Sequence, residues 1–314
     1  MRVAVVIPMW NQQSLTVRSL RSLAKLSIRP DWVVVVDNAS EPNPLASLKE
    51  ARPEIVVLRQ SVNIGFAAGC NAGIRWALAQ GAEAVLLLNN DATVHADLLA
   101  NLERGLRSGP RIAAVGGKTL TDETPPRIHA AYTVLTFHAP LVRVEGWLEP
   151  RTEKFAEEKD VDSVSGGAML LKREALEDVG LLDEKFFAYH EDVDWCLRAR
   201  SRGWRIRYVP QALIYHRMHA STGGGYAPAL AYLTSRNAVL FVRKHGSLGR
   251  RLEFSARTLG NLMKELPYRW SHGQLGAYRW RLRGLLDGLF GGPLPLRELG
   301  LRPAGSNDAD RVET

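Results

Sequence analysis

Cysteine is scarce: the 314 residues hold two, Cys70 and Cys196. Two thiols build no disulfide framework and match no zinc spacing, so they are expected as reduced thiols in a cytoplasmic protein. Long apolar runs are also missing. None approaches the ~20 residues of a membrane span. The start, MRVAVVIPMW, has one basic residue and a short apolar run, too little for a signal peptide. No G-x-G-x-x-G, Walker loop or internal repeat occurs. The rest is ordinary for a globular chain, at 46% hydrophobic and 24% charged, which excludes whole-chain disorder and collagen-like structure. The length suits about two domains of ~150 residues each and a core that needs no staples.

Acidic charge is depleted in one segment only. Residues 236–283 hold eleven Lys or Arg against Glu253 and Glu265, a surplus of nine. The net charge is +8, so everything else carries −1. The high pI therefore describes one segment and not the body. Tyr268, Trp270, Tyr278 and Trp280 interleave with those arginines. Basic amphipathic helices with aromatics suit an anionic membrane surface. The competing reading is a helical cap whose arginines pack on the body. Stacking of nucleic-acid bases is a third. No nucleic-acid motif supports it, and no nucleic-acid partner is expected.

What is present in the first half is alternation. Apolar runs at 3–8, 32–37, 55–58, 84–89 and 112–116 are nearly continuous in Val, Ile and Leu. That pattern is expected of strands covered on both faces. Helical spacing fills 14–26, 67–80 and 96–107. Strand–helix alternation predicts an α/β, doubly wound, mostly parallel sheet. Polar or glycine-rich clusters follow four strands, and ligands bind beyond the carboxyl ends of such strands. Residues 119–160 read as an unpatterned surface excursion. A strand and turn follow at 161–171, a helix at 191–202, and two short strands at 204–209 and 212–216. Beyond 226 the pattern is helical to about 290, with breaks near Gly246 and at Pro267. The last residues are polar and expected to be disordered.

Four clusters carry candidate chemistry. Leu88-Asn89-Asn90-Asp91 delivers polar groups at a strand end, where Asp91 could hold a hard divalent cation. It could equally be a turn or a helix cap. His190-Glu191-Asp192-Val193-Asp194-Trp195 opens a helix after Phe186-Phe187-Ala188-Tyr189. One of its carboxylates could act as general base, or all could simply favour the helix dipole. Asn63-Ile64-Gly65-Phe66-Ala67-Ala68-Gly69-Cys70-Asn71-Ala72-Gly73 lets a backbone approach a nucleotide, or packs a helix closely. His216 and His219 precede Thr222-Gly223-Gly224-Gly225, which reads as a hinged loop.

In their order and joint presence these motifs resemble the inverting glycosyltransferase family 2, with its GT-A fold, over about residues 2–245. Val6-Ile7-Pro8-Met9-Trp10-Asn11 resembles its opening strand. Val36-Asp37-Asn38-Ala39-Ser40 resembles its base-binding segment, and 63–71 its next donor-side loop. Leu88-Asn89-Asn90-Asp91 resembles its DxD-type metal motif. Ser165-Gly166-Gly167-Ala168 and Glu191-Asp192 resemble its acceptor-side segments. Asp-Asn-Ala-Ser, Asn-Ile-Gly-Phe-Ala-Ala-Gly-Cys-Asn at 63–71, the Phe186–Trp195 run and Arg236-Asn237 are similar to the subgroup of bacterial rhamnosyltransferases and related galactofuranosyl-type enzymes.

The resemblance implies a catalytic domain at 1–225, a basic helical extension at 226–300 and a disordered tail at 301–314. It implies a nucleoside diphosphate sugar donor, dTDP- or UDP-linked, with dTDP-rhamnose favoured. Its acceptor is a glycan or lipid-linked hydroxyl in cell-surface polysaccharide synthesis. The protein is expected in the cytoplasm, peripheral on the inner face of the membrane. Donor contacts fall to Pro8, Trp10, Asn11, Asp37, Asn38, Asn63, Gly65, Phe66, Asn71, Asn89, Asn90 and Asp91. Asp37 would accept the pyrimidine N3–H. Asp91 and His216, with His219 as alternate, would hold Mg2+ or Mn2+. Asn89 stands where many relatives carry Asp, which implies weaker metal binding. Asp192 would be the base, with Glu191 orienting the acceptor. Gly166, Gly167, His190 and Trp195 would face the acceptor, although Trp195 also fits a core position. A sugar nucleotidyltransferase would need a glycine-rich basic loop where Met9-Trp10-Asn11-Gln12-Gln13 stands. An inactive, sugar-nucleotide-binding relative is the other alternative, on account of Asn89.

Overall fold

A computed structural model of the chain describes residues 1–150, 153–216 and 227–302. The strands are β1 Val3–Met9, β2 Trp32–Asp37, β3 Val56–Arg59, β4 Ala84–Leu88, β5 Ala92–Val94, β6 Ile112–Thr121, β7 Ile128–Ala130, β8 Thr133–Leu135, β9 Val142–Val144, β10 Lys159–Val161, β11 Ala168–Lys172 and β12 Arg205–His216. The α-helices are α1 Gln13–Leu23, α2 Leu45–Ala51, α3 Phe66–Ala79, α4 Leu98–Arg107, α5 Arg173–Val179, α6 Glu191–Ser201, α7 Pro228–His245, α8 Leu248–Ser271 and α9 Leu275–Phe290.

The central sheet runs β10-β12-β6-β11-β4-β1-β2-β3, with β5 beside β12 and β7 beside β6. It is mixed and mostly parallel. β4, β1, β2 and β3 form one parallel block, and β6 pairs in parallel with β12. β11 lies antiparallel between the two blocks.

Strand alternation sends successive side chains to opposite faces. Val3, Val5 and Ile7 of β1 join Leu20, Leu98 and Leu102 of α1 and α4 in one core layer. Ala4 and Val6 join Ile74, Ala77 and Trp195 of α3 and α6 in the other. Both layers are buried, which is why these strands read as continuous apolar runs. Each buried Val, Leu or Ile contributes about 1.5–3 kcal/mol. α3 approaches the sheet closely because of its glycines: a Cβ on Gly73 would lie 2.2 Å from the Val6 side chain.

The C-terminal helices pack against one another and against the segment before α6. α7 packs along α9, at glycine contacts. A Cβ at Gly284 would fall 2.3 Å from the Tyr232 carbonyl, and one at Gly288 would fall 2.6 Å from that of Arg236.

Three expectations differ from the structure. Residues 119–160 are not an unpatterned excursion: they finish β6 and contain β7, the β8–β9 hairpin and the start of β10. Strands this short leave too little period for the sequence to display. The two strands expected at 204–216 are one, β12, with an irregularity between Val209 and Leu213. Pro267 does not end a helix but lies inside α8. A proline removes one donor; at this exposed position water can satisfy the freed carbonyl. The break falls at 272–274 instead. His219 and the Thr222–Gly225 run lie outside the described residues.

Candidate active site

Beyond the carboxyl ends of β1, β2 and β4 opens a cavity of about 1040 Å3. Its donor-side wall includes Pro8, Trp10, Asn11, Asn38, Asn63, Gly65, Phe66, Asn89 and Asn90. Gly166, Gly167, His190, Glu191 and Asp192 line it from the other side. Most of the candidates thus meet around one space, although they lie up to 184 positions apart in sequence.

Three of the donor-side candidates, Asp37, Asn71 and Asp91, do not line the cavity. Asp37 is wholly buried at the end of β2. One oxygen accepts from the Ser40 N–H at 2.9 Å, and the other from Arg59 at 2.5 Å. Arg59 sits directly across from Asp37 in the β2–β3 register. Asn71 faces away from the cavity. Its amide donates to the Leu182 carbonyl at 2.9 Å and to Glu184 at 2.8 Å, and accepts the Leu182 N–H. It ties α3 to the segment that leads into α6.

Gly65 explains the glycine in its own loop. It has φ +90°, and a Cβ would stand 2.5 Å from the Phe187 ring and 2.7 Å from the Phe187 carbonyl. That carbonyl accepts the Ala67 N–H at 3.0 Å. The donor-side loop therefore touches the segment before α6 backbone to backbone.

Asp91 and His216 are brought together. β12 pairs with β5 so that His216 opposes Ala92. His216 Nε2 lies 3.0 Å from Asp91 Oδ1, and both side chains are largely buried. His129 stacks on His216 with centroids 5.0 Å apart, and Trp147 leans on His129 at the same distance. Among the described residues no group of three or more His, Cys, Asp or Glu could hold a metal. Any ion here would need further oxygens from a ligand.

The segment 187–192 is strained. Phe187, Tyr189 and His190 all have positive φ, between 62° and 72°. Side chains with a Cβ avoid this region, at about 1–3 kcal/mol each, and such residues cluster at functional sites. Asn237 of α7 holds the segment: its amide donates to the carbonyls of Phe186, Ala188 and Tyr189 at 2.7, 2.7 and 2.9 Å. Arg236 donates to the Lys185 carbonyl at 2.9 Å and to the Asn237 side-chain oxygen at 3.0 Å.

The three carboxylates of α6 have three different environments. Asp192 accepts the Gly166 N–H on one oxygen and its neighbour's Val193 N–H on the other, both at 2.8 Å. Burial raises its pKa above the usual aspartate value, and the two N–H groups partly oppose that rise. Glu191 is buried, with one oxygen unpartnered. Burial, then the neighbouring Asp192 charge, raises its pKa well above the ordinary glutamate value. Asp194 points away into the protein. It contacts Arg198 at 2.8 Å, Lys244 at 2.8 Å and His245 at 2.7 Å. Its pKa is lowered although burial opposes this, because the hydrogen bonds from His245 and Lys244, together with Arg198, favour the charged form. Burial pushes His190 down to about 4, so it is neutral at pH 7.

On the acceptor side, Gly166 and Gly167 make room for protein groups. A Cβ at Gly166 would stand 3.2 Å from the Asp192 side chain, and one at Gly167 would stand 3.1 Å from Asn89. Trp195 does not face the cavity: it is fully buried, and its indole N–H donates to the Gly180 carbonyl at 2.8 Å. The tryptophan belongs to the core. Both cysteines are buried and unpaired.

Sequence reasoning missed Arg59, His129, Trp147 and the clamp by Asn237. It also missed that α7 and the segment 298–301 close the cavity, through Leu230, Leu233 and Leu299. Leu301 accepts a hydrogen bond from Asn63 at 3.0 Å. The register of Asp37 against Arg59 at two neighbouring strand ends was the one readable signal among these.

A mixed sheet with its cavity beyond the parallel strand ends, walled by asparagines and carboxylates, is the frame of a GT-A-type glycosyltransferase. The model of the glycosyltransferase-like family 2 matches residues 1–231, and the chain belongs to that family. It is 26% identical over 250 residues to an N-acetylglucosaminyl-diphospho-decaprenol L-rhamnosyltransferase of Mycobacterium tuberculosis, covering 74% of this chain and 81% of that one. It is 25% identical over 253 residues to the dTDP-rhamnosyl transferase RfbF of Shigella flexneri, covering 77% and 80%. Identity to the low-salt glycan biosynthesis hexosyltransferase Agl10 of Haloferax volcanii is 29% over 176 residues, 55% of this chain and about half (54%) of that protein's length. Among solved structures, the mannosyltransferase PcManGT from Pyrobaculum calidifontis, in complex with GDP-Man and Mn2+, shares the fold. Its TM-score is 0.56 at 19% identity, over 95% of this chain and 78% of that one.

Proposed function

We propose that this glycosyltransferase moves L-rhamnose from dTDP-rhamnose to a hydroxyl of a glycan or lipid-linked acceptor, with inversion at the anomeric carbon. The observation that carries the reading is Asp192. Its carboxylate is pinned by two backbone N–H groups on the wall of the cavity that Trp10, Asn38, Asn89 and Asn90 line. The names of two relatives favour rhamnose and dTDP.

In this mechanism Asp192 takes the proton of the acceptor hydroxyl as its oxygen attacks the anomeric carbon. Positioned bases of this kind contribute ~10²–10⁴-fold. The raised pKa of Asp192 suits it to hold that proton. Glu191, whose burial favours its neutral form, orients the acceptor from beside the base. Asp37, buried behind the donor wall, holds Ser40 and Arg59 in place beside the pyrimidine. Trp10 lies against the base.

Asp91 and His216 would hold a divalent cation. A carboxylate and an imidazole in contact are fitting ligands for Mg2+ or Mn2+. Diphosphate oxygens and water would complete the shell. When bound, the ion stabilises negative charge on the departing diphosphate. On this reading the chain works in the cytoplasm, peripheral on the inner face of the membrane that carries the acceptor.

The test is turnover of dTDP-rhamnose with a polyprenol diphosphate-linked N-acetylglucosamine. Release of dTDP and an inverted anomeric signal by NMR are expected. Retention of configuration would remove Asp192 from the role of base. Transfer from another donor alone would replace rhamnose.

A further inference from the structure

The helix α8 presents an apolar stripe to solvent. Leu248, Leu252, Leu259, Met263, Leu266 and Trp270 are between 42% and 73% exposed. At 3.6 residues per turn the six fall within an arc of about 60°. They run the helix's full 24 residues, roughly 36 Å. The helix holds to the body by another face, where Phe254 and Thr258 are buried. This is not the loose scatter of apolar residues found on most surfaces.

The helix is net basic around the stripe. On the helical wheel Lys264 lies about 100° beyond one edge of the stripe and Arg251 and Arg269 about 60° beyond the other. Arg250, on the far side, packs over the Phe137 ring at 3.9 Å, Arg257 pairs with Glu253 at 2.9 Å, and Arg251 donates to the Gly246 and Arg243 carbonyls. Among the described residues neither Lys264 nor the neighbouring Arg279 of α9 has an acidic partner. α9 adds exposed Leu282, Leu286, Leu289 and Phe290 on the side opposite its glycine contacts with α7. Among the described residues no helix is long and apolar enough to cross a membrane.

We infer that α8 lies in the plane of an anionic phospholipid surface, with its six-residue stripe among the acyl chains and Lys264 and the neighbouring Arg279 at the phosphates. Long cationic side chains flanking an apolar stripe can reach up to headgroups while their stems stay apolar. Net positive charge on the segment adds to this where lipids are anionic. A protein partner would be equally served by the apolar residues but gives no reason for the net positive charge of the helix that carries them.

This placement deepens the lipid-linked acceptor reading and rests on it for its purpose. α8 is braced on the β8–β9 hairpin: Phe254 packs in one cluster with Leu141, and Asn261 donates to the Ala139 carbonyl at 3.3 Å. Val142 and Val144 of that hairpin line the cavity. A surface-bound α8 would set the cavity beside the membrane.

The test is co-sedimentation of the full chain with vesicles of phosphatidylcholine alone and of phosphatidylcholine with 30% phosphatidylglycerol. Binding at least tenfold stronger to the anionic vesicles is expected. Leu259→Glu with Met263→Glu should lower it more than tenfold, and Lys264→Glu several-fold, with a loss in high salt. A blue shift of Trp270 fluorescence on vesicles, absent in Trp270→Phe, locates the contact. Nucleotide titration of each variant checks that the cavity is intact and reads the donor site independently. Equal binding to both vesicles, or none with a dimer that the Glu variants dissociate, would overturn the inference in favour of a second copy of the chain.

Discussion

Replacing Asn237 by alanine removes the donors that hold three carbonyls of a strained segment. The amide reaches Phe186, Ala188 and Tyr189 within 2.9 Å. Each buried carbonyl left without its donor costs about 1–3 kcal/mol. An amide has two N–H groups for three acceptors, so the three losses do not add; a total near 3 kcal/mol follows. With roughly 2–3 °C per kcal/mol for a chain of this size, Tm falls by about 6–9 °C. The consequence for catalysis is geometric. Three left-handed residues lead into His190-Glu191-Asp192, and relaxation of that backbone displaces the base. A displacement of ~1 Å at the chemistry can lower turnover ~10²-fold. Donor binding should change little, because Asn237 does not line the cavity. The assay is differential scanning calorimetry alongside kcat and donor KM. Asn237→Asp should be at least as damaging, since a carboxylate would face three carbonyl oxygens. Wild-type Tm and kcat in Asn237→Ala would refute the reasoning.

Other outcomes follow from single residues. Asp192→Asn should lower kcat by ~10²–10⁴-fold while dTDP affinity stays constant by calorimetry. The acidic limb of the kcat/KM profile should lie above the ordinary aspartate range, because the pKa of Asp192 is raised. Glu191 has a folded pKa above its unfolded 4.5, so its stability contribution is present below that value and lost as pH rises through the folded pKa. Glu191→Gln should therefore raise Tm more at pH 8 than at pH 4.5, by thermal melts at both. Gly65→Ala should destabilise by about 2 kcal/mol or more, in denaturant unfolding, because φ is +90° and the new Cβ meets Phe187.

The parallel strands were legible because both of their faces are buried, which leaves continuous Val/Ile/Leu runs such as 32–37 and 84–88. The polar groups at their ends could be read as one site for the same reason: topology fixes where strand ends go. Three-residue strands such as β8 and β9 show no period, so the wall they form was invisible. Asp37 and Asn71 were legible as candidates but not in their roles, because their partners, Arg59 and Leu182, are set by tertiary contact. The same holds for Asn237, whose three acceptors lie about fifty positions earlier. The stripe on α8 was written in the sequence at helical spacing. Pro267 hid it by suggesting a break.

The central claim is a metal-assisted nucleotide site closed by Asp91 and His216. Calorimetric titration of dTDP, UDP and GDP, each with and without Mn2+, tests it most directly on wild type, Asp91→Ala and His216→Ala. The account predicts dTDP binding that Mn2+ strengthens at least tenfold in the wild type, with that gain lost in both variants. Binding of no nucleotide, or Mn2+-enhanced binding that survives in Asp91→Ala, would contradict it.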